Sequence, residues 1–332
     1  MEVIVVDNES SNYITQGIVD ELIDLGVDAQ YATVERSTFP NGEKYYRIIA
    51  ESNFSLLGKT SLFIASITND EQLLDLYRIG STLTQMGIKR RIFLIPFLTY
   101  LSYNAASHVG DVVVAKTNAQ MIGSIGNASE GNVFIFLDLH YESVIHYFEG
   151  PSLRIELSAQ YLLLRAINDL NLPKNLMMMG STNLHRASWV NRYAVAMNIP
   201  VSFAREKLKN SPFDPNQTDG IVGDVKDKIV LIYDDIIRSG RTMILAANEY
   251  LQAGASKVYA VSTHITCYKD EQITELINSP IEKIIVTNSH PVTMNSLITE
   301  CDKFIVVDIA PLFTQCLFEI LPTPDHKHRA SI

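Results

Sequence analysis

Short runs of apolar and β-branched residues recur along the chain, separated by stretches whose apolar residues fall at helical spacing. In the first half the runs are Val3–Asp7, Tyr45–Ile49, Ser61–Ile67, Arg91–Pro96 and Val133–Leu139, with helical patterns over Thr15–Leu25, Glu71–Met86 and Val112–Ile125. In the second half Leu176–Met179, Val201–Phe203, Ile229–Tyr233, Lys257–Thr263 and Lys283–Thr287 read as strands, and Ile155–Leu170, Arg186–Met197, Thr242–Ala253 and Glu271–Ile277 as helices. Continuous apolar strands alternating with helices predict parallel sheets covered on both faces. Two such sets predict an α/β protein of two doubly wound, mostly parallel-sheet domains. Gly150-Pro151-Ser152 breaks the pattern, which places the domains at 1–150 and 151–303. The apolar stretch Ile305–Leu321 is expected to start as a strand and end as a helix, a closing segment (304–322) packing back on the first domain. The polar tail 323–332 is expected to be disordered. Lys207–Gly223 is a long polar loop, a length that suggests a lid over a site.

Composition narrows the function. Of 332 residues 47% are hydrophobic, enough for two cores, and the net charge of −10 with no basic block argues against a nucleic-acid surface. Cys267, Cys301 and Cys316 show neither a disulfide framework nor zinc spacing, which fits a reducing compartment. The start MEVIVVDNES lacks a basic leader, and no apolar run is long enough for a bilayer. The expectation is a cytoplasmic protein.

The chemistry concentrates at VLIYDDIIRSGRTMILA, residues 230–246. An apolar strand ends in Asp234 and Asp235, a polar turn follows, and an apolar helix resumes. Ligands of open parallel sheets bind beyond the carboxyl ends of the strands. There Arg238, Ser239, Gly240, Arg241 and Thr242 open a helix whose N-terminal amides and dipole favour an anion. The two acids cannot hold a phosphate, but they can accept sugar hydroxyls or help hold Mg²⁺. The combination reads as a ribose-phosphate site; an isolated Asp-Asp would be read as two solvated acids.

This stretch resembles the phosphoribosyl-diphosphate loop of phosphoribosyltransferases and of ribose-phosphate diphosphokinases. The rest of the chain is similar to the diphosphokinases throughout. FPNGEKYYRI (39–48), IPFLTY (95–100), LDLHYESVIHYF (137–148), AVSTHIT (260–266), VTNSHP (286–291) and VVDIAPLF (306–313) match that family's segments in order. The resemblance implies two domains of phosphoribosyltransferase type. It also implies Mg²⁺-dependent transfer of the β,γ-diphosphoryl group of ATP to the 1-hydroxyl of ribose 5-phosphate, giving PRPP and AMP. By the same resemblance Asp234 and Asp235 hold ribose hydroxyls, and 239–242 cradle the 5-phosphate. His140, Asp138 and Asn183 are placed toward the metal, and Phe39 stacks on adenine with Asn41 and Glu43 nearby. The catalytic candidates are Arg205, Lys207 and His140. Family members assemble as dimers and hexamers, so a homo-oligomer is implied, with no membrane or nucleic-acid partner.

The chain also departs from the family. Ser102, Tyr103 and Asn104 stand where the family carries an Arg-Gln-Asp that grips ATP. Asn183 replaces a metal- or sugar-binding Asp. The family's Lys-x-Arg has no clean counterpart in SFAREKLKNS, and Arg238 and Arg241 replace an Asp and a Gly. One reading is an active diphosphokinase with a re-tooled site, whose extra arginines suit an acceptor with more negative charge, such as ADP-ribose. The other is an inactive relative that binds sugar phosphate or nucleotide, or that regulates an active synthetase by co-assembly. A base phosphoribosyltransferase fits less well, because it would not need the synthetase-like first half.

Other features read as structural. Met177–Met179 and Trp189 suggest packing, and Arg186 and Arg192 salt-bridged or solvated side chains. Of Tyr45 and Tyr46, one is expected in the core. Lys89-Arg90-Arg91 reads as a solvated strand entry. His108, His146, His185, His264 and His290 are not assigned to the site.

Overall fold

The computed structural model describes residues 2–50, 56–183, 186–204 and 220–321. Two compact units emerge, one built from the chain up to Ser158 together with the segment from Ile309 on, the other from Ala159–Asp308.

The first unit carries β1 (Glu2–Asp7), α1 (Asn12–Asp24), β2 (Asp28–Thr38), β3 (Lys44–Ala50), β4 (Thr60–Ile64), α2 (Asp70–Gln85), β5 (Arg90–Ile95), α3 (Val114–Gly123), β6 (Asn132–Leu137) and β7 (Ser152–Leu157). Its sheet has the order β3-β2-β1-β4-β5-β6-β7. All neighbours are parallel except β2 and β3, which form an antiparallel hairpin with Thr38 opposite Lys44. The runs VIVV, SLFI and FIFL are buried on both faces, as central parallel strands must be. Phe93 stacks on Phe134 at 4.9 Å, and Phe136 packs on Phe148 at 4.7 Å, forming one aromatic seam.

Three expectations need correction here. β2, a polar strand of 11 residues, was not foreseen. Ser152–Leu157 is a strand, so the helix expected over Ile155–Leu170 begins only at Gln160. Within the basic knot Lys89 and Arg90 are half-buried, Lys89 pairing with Glu130 at the surface, but Arg91 does not fit a solvated strand entry. Arg91 is fully buried, its Nε donating to Asn132 Oδ1 at 3.1 Å and its other nitrogens to the carbonyls of Gly80 and Gly126. Burial lowers its pKa to about 10, so it remains charged at neutral pH.

The second unit contains α4 (Gln160–Asp169), β8 (Met177–Ser181), α5 (Ala187–Met197), β9 (Phe203–Ala204), β10 (Ile221–Val222), β11 (Ile229–Ile237), α6 (Arg241–Gln252), β12 (Lys257–Ile265), α7 (Asp270–Ile277), β13 (Ile284–Thr287), α8 (Ser296–Thr299) and β14 (Phe304–Val307). Its five-stranded sheet runs β14-β13-β12-β11-β8, all parallel. β9 and β10 form a separate antiparallel ribbon. The lid expected over Lys207–Gly223 lies outside the described residues as far as 219, and its last residues enter β10. The closing segment is divided. β14 completes the second sheet, whereas α9 (Ala310–Ile320) belongs to the first unit and packs on α1, with Ala310 Cβ facing Gly17. Among the described residues no helix is long and apolar enough to cross a membrane.

Candidate functional site

The acid pair sits inside β11, not just past its end. The strand runs on to Ile237 because β12 continues beside it, Ile237 pairing with Ile265. On the other side β8 stops at Ser181, opposite Tyr233. Asp234 is therefore the first β11 residue without a β8 neighbour, and the chain after β8 turns over it. Thr182 Oγ1 donates to Asp234 Oδ2 at 2.9 Å, and Asn183 Nδ2 donates to that same Thr182 oxygen at 3.3 Å.

Arg186, immediately before α5, closes the arrangement. Its Nε lies 3.3 Å from Asp234 Oδ1 and its Nη2 lies 2.8 Å from Asp235 Oδ1. The three side chains are 13%, 15% and 4% exposed for Arg186, Asp234 and Asp235, so solvent screens them little. Burial and the adjoining Asp235 carboxylate push Asp234 up to about 7, against the pull of Arg186 and Thr182. Sequence reasoning saw the acids but not their partner. Arg186 is distant along the chain, and an arginine at a helix start carries no signal of which acid it will meet.

The turn after the acids is built as a phosphate cradle would be. Gly240 has φ +77°, and a Cβ there would lie 2.7 Å from Leu276 Cγ, so both the backbone conformation and the space require glycine. It leads directly into α6, whose Ile244 amide donates to the Gly240 carbonyl at 2.9 Å. Arg238, Arg241 and Thr242 are exposed and Ser239 is half-buried, so cations and hydroxyls face outward beside a helix N-terminus.

In the first unit Phe39, Asn41 and Glu43 lie in the five-residue turn joining β2 to β3. There the Phe39 amide donates to the Glu43 carbonyl at 2.8 Å and Asn41 Oδ1 accepts from the Glu43 amide at 3.2 Å. Phe39 is 51% exposed, edge-on to Tyr45 at 6.2 Å, while Tyr46 packs against the core. Ions tie this hairpin to α2, through Arg36–Asp75 at 3.1 Å and Lys44–Glu71 at 2.6 Å. Ser102 and Tyr103 are exposed beyond β5. The Tyr103 hydroxyl donates to Asp111, and the Asn104 carbonyl accepts from Tyr147 at 2.9 Å. After β6, Asp138 is buried with φ +36° and His140 is half-buried, its ring 4.5 Å from that of Tyr141. Arg205 and Lys207 lie outside the described residues. Among the described residues no group of three or more His, Cys, Asp or Glu side chains is assembled to hold a metal. Mg²⁺ in phosphoryl-transfer sites is usually held by one or two carboxylates and by the substrate's own phosphates, so a full cage of protein ligands is not required there.

Two stretches match known domains. Residues 3–126 match the N-terminal domain of ribose phosphate pyrophosphokinase, and residues 190–323 match the phosphoribosyl synthetase-associated domain. The chain belongs to the ribose-phosphate pyrophosphokinase family. It is 28% identical over 281 residues to the ribose-phosphate pyrophosphokinase of Pyrococcus abyssi, covering 83% of this chain and 88% of the relative. To that of Sulfolobus acidocaldarius it is 25% identical over 309 residues, covering 92% and 97%. The fold is likewise similar to the crystal structure of phosphoribosylpyrophosphate synthetase from Mycobacterium smegmatis, with a TM-score of 0.80 at 22% identity, covering 96% and 99% of the two chains. The family is thus spread over both units, and the acid pair and its turn lie within the second matched stretch.

Proposed function

We propose that this member of the family transfers a diphosphoryl group from ATP to the 1-hydroxyl of a ribose bearing a 5-phosphate. The observation that carries the reading is the Asp234–Asp235 strand running into the Gly240 turn at the head of α6. Ser239, Gly240 and Thr242 would take the 5-phosphate with helix-terminal amides and hydroxyls, with Arg238 and Arg241 adding charge. Asp234 and Asp235 would orient the sugar. In the first unit the 39–43 turn and residues 102–104 would receive the nucleotide, and His140 with Asp138 would serve its phosphate end. Mg²⁺, when bound there, supplies charge neutralisation of the transferring phosphates.

The sugar oxygen forms a bond to the β-phosphorus, and the bond from that phosphorus to the oxygen bridging toward the α-phosphate breaks. The electron pair leaves with AMP, and the hydroxyl gives up its proton to solvent. Catalysis of this kind is positioning plus charge, with little covalent work for the protein. Arg205 and Lys207 are our candidates for the cations on the transferring group. The two arginines of the turn favour an acceptor with additional negative charge, and ADP-ribose is the acceptor we would test beside ribose 5-phosphate. We further propose a cytoplasmic homo-oligomer, as the family resemblance implies.

One observation favours a second reading. No cation stands at 102–104, and Tyr103 is engaged with Asp111, so these three positions supply no charge-assisted contact of the kind an ATP grip uses. A non-catalytic sugar-phosphate binder, or a regulatory partner of an active synthetase, would look the same. Incubation with ATP, Mg²⁺ and each acceptor in turn, with AMP followed by chromatography, decides between them. AMP that depends on one acceptor supports the transferase and names its substrate. Its absence with both, beside a working control synthetase, supports the second reading.

A further inference from the structure

Two carboxylates side by side in a largely buried strand repel each other and favour a cation beside them. In this chain the cation is a side chain. Arg186 spans both acids at 3.3 and 2.8 Å. A guanidinium is charged at any working pH, and its planar fork can meet two neighbouring acceptors at once. The second oxygen of Asp234 is taken by Thr182 at 2.9 Å. A magnesium ion would need the same oxygens at about 2.0–2.1 Å in octahedral array, and it would stand against the guanidinium as like charge on like. The acid pair therefore does not fit a divalent metal while Arg186 is in place.

We propose that Arg186 replaces a divalent cation at Asp234 and Asp235, so that sugar phosphate binds the Arg238–Thr242 turn without metal. This rests on reading that turn as the ribose-phosphate site. Arg186 acts here as a positioning residue: it fixes both carboxylates and offsets one of their two negative charges before the sugar arrives. Any metal requirement of the reaction would then belong to the nucleotide alone. Sugar binding and metal dependence, otherwise entangled in a phosphoryl-transfer enzyme, become separable in this chain.

The test is calorimetric titration of ribose 5-phosphate and, in parallel, ADP-ribose into the full chain, in EDTA and in Mg²⁺. Wild-type affinity for the ligand that binds should agree within about twofold between the two conditions. Arg186→Ala should bind about tenfold or more weakly in EDTA and recover when Mg²⁺ is added, while Arg186→Lys, which keeps the charge but not the fork, should fall between the two in EDTA. Wild-type binding that collapses in EDTA overturns the inference, and so does an Arg186→Ala variant that binds as wild type there. Wild type binding neither ligand in either condition overturns the ribose-phosphate reading itself. A titration of Mn²⁺ alone, followed by electron paramagnetic resonance, gives an independent readout. Arg186→Ala should gain one site that wild type lacks, and equal stoichiometry counts against the replacement.

Discussion

Tyr250 reaches from α6 to the end of β8, where its hydroxyl accepts from the Ser181 amide at 3.1 Å. The same oxygen lies 3.2 Å from the carbonyls of Ser181 and Ser202, so one phenol ties the last residue of β8 to the residue just before β9. Burial pushes this phenol up to about 12, and it keeps its proton throughout the working range. Tyr250→Phe would leave a buried amide without its acceptor, which costs about 1–3 kcal/mol. The same change should loosen the 181–183 turn over Asp234 and weaken sugar-phosphate binding. Urea unfolding and calorimetry of the variant check the two effects. A variant as stable as wild type would show that the hydroxyl is dispensable.

Gly240→Ala adds a methyl group where φ is +77° and Leu276 stands 2.7 Å away. Backbone strain and overpacking together should destabilise the second unit by about 2–4 kcal/mol. Because the same residue starts α6, affinity for ribose phosphate should fall as well. Thermal unfolding and a binding titration at a temperature where the variant is folded separate the two losses.

His290 is lowered from 6.5 to about 3, by burial first and by the neighbouring His264 second. Its Nδ1 accepts from the Val292 amide at 3.1 Å, a bond that requires the unprotonated nitrogen. The fold therefore holds the neutral form, whereas the unfolded chain binds a proton below about 6.5. Stability from this group is present above that pH and is lost as pH falls toward 3. His290→Asn, which can offer an amide oxygen to the same donor, should flatten the loss of urea resistance between about pH 6 and pH 4. An unchanged acid profile would remove His290 from the account.

The proposed nucleotide side gives an opposite kind of test. Ser102→Arg with Tyr103→Gln would place a cation and an amide where neither now stands, at exposed positions that the core does not need. A charge-assisted contact of about 1.5–3 kcal/mol would raise ATP affinity about tenfold or more. Affinity unchanged in the double variant would mean that the nucleotide is gripped elsewhere.

How much was legible in the sequence depended on burial. Central strands such as Val3–Asp7 and Val133–Leu139 announce themselves because both faces are apolar. β2 reads DAQYATVERST, with its outward face polar and its far end paired only in a hairpin, so no apolar run marks it. β7, SLRIEL at the sheet edge, was absorbed into the following helix for the same reason. The acid pair and its turn were readable because strand, turn and helix are contiguous. Arg186 and Tyr250 were not, since each reaches the site through tertiary contacts that no local pattern encodes. Arg91 misled because an arginine in the basic run Lys89-Arg90-Arg91 looks solvated, until Gly80, Gly126 and Asn132 are seen to enclose it.

The helix α9 joins α1 across almost the whole length of the chain, with Phe313, Cys316 and Leu317 buried. Ile14, Ile18 and Leu22 on α1 are buried too, and α1 is made before every residue of the second unit. During synthesis the second unit, continuous in sequence, can therefore finish folding before the first. Until α9 leaves the ribosome, α1 lacks part of its apolar cover, which is a stage at which chaperones act. A stop codon just after β14 would spare every residue of the acid pair and its turn and still give a chain prone to aggregate. A helix made after the second unit thus completes the unit begun before it.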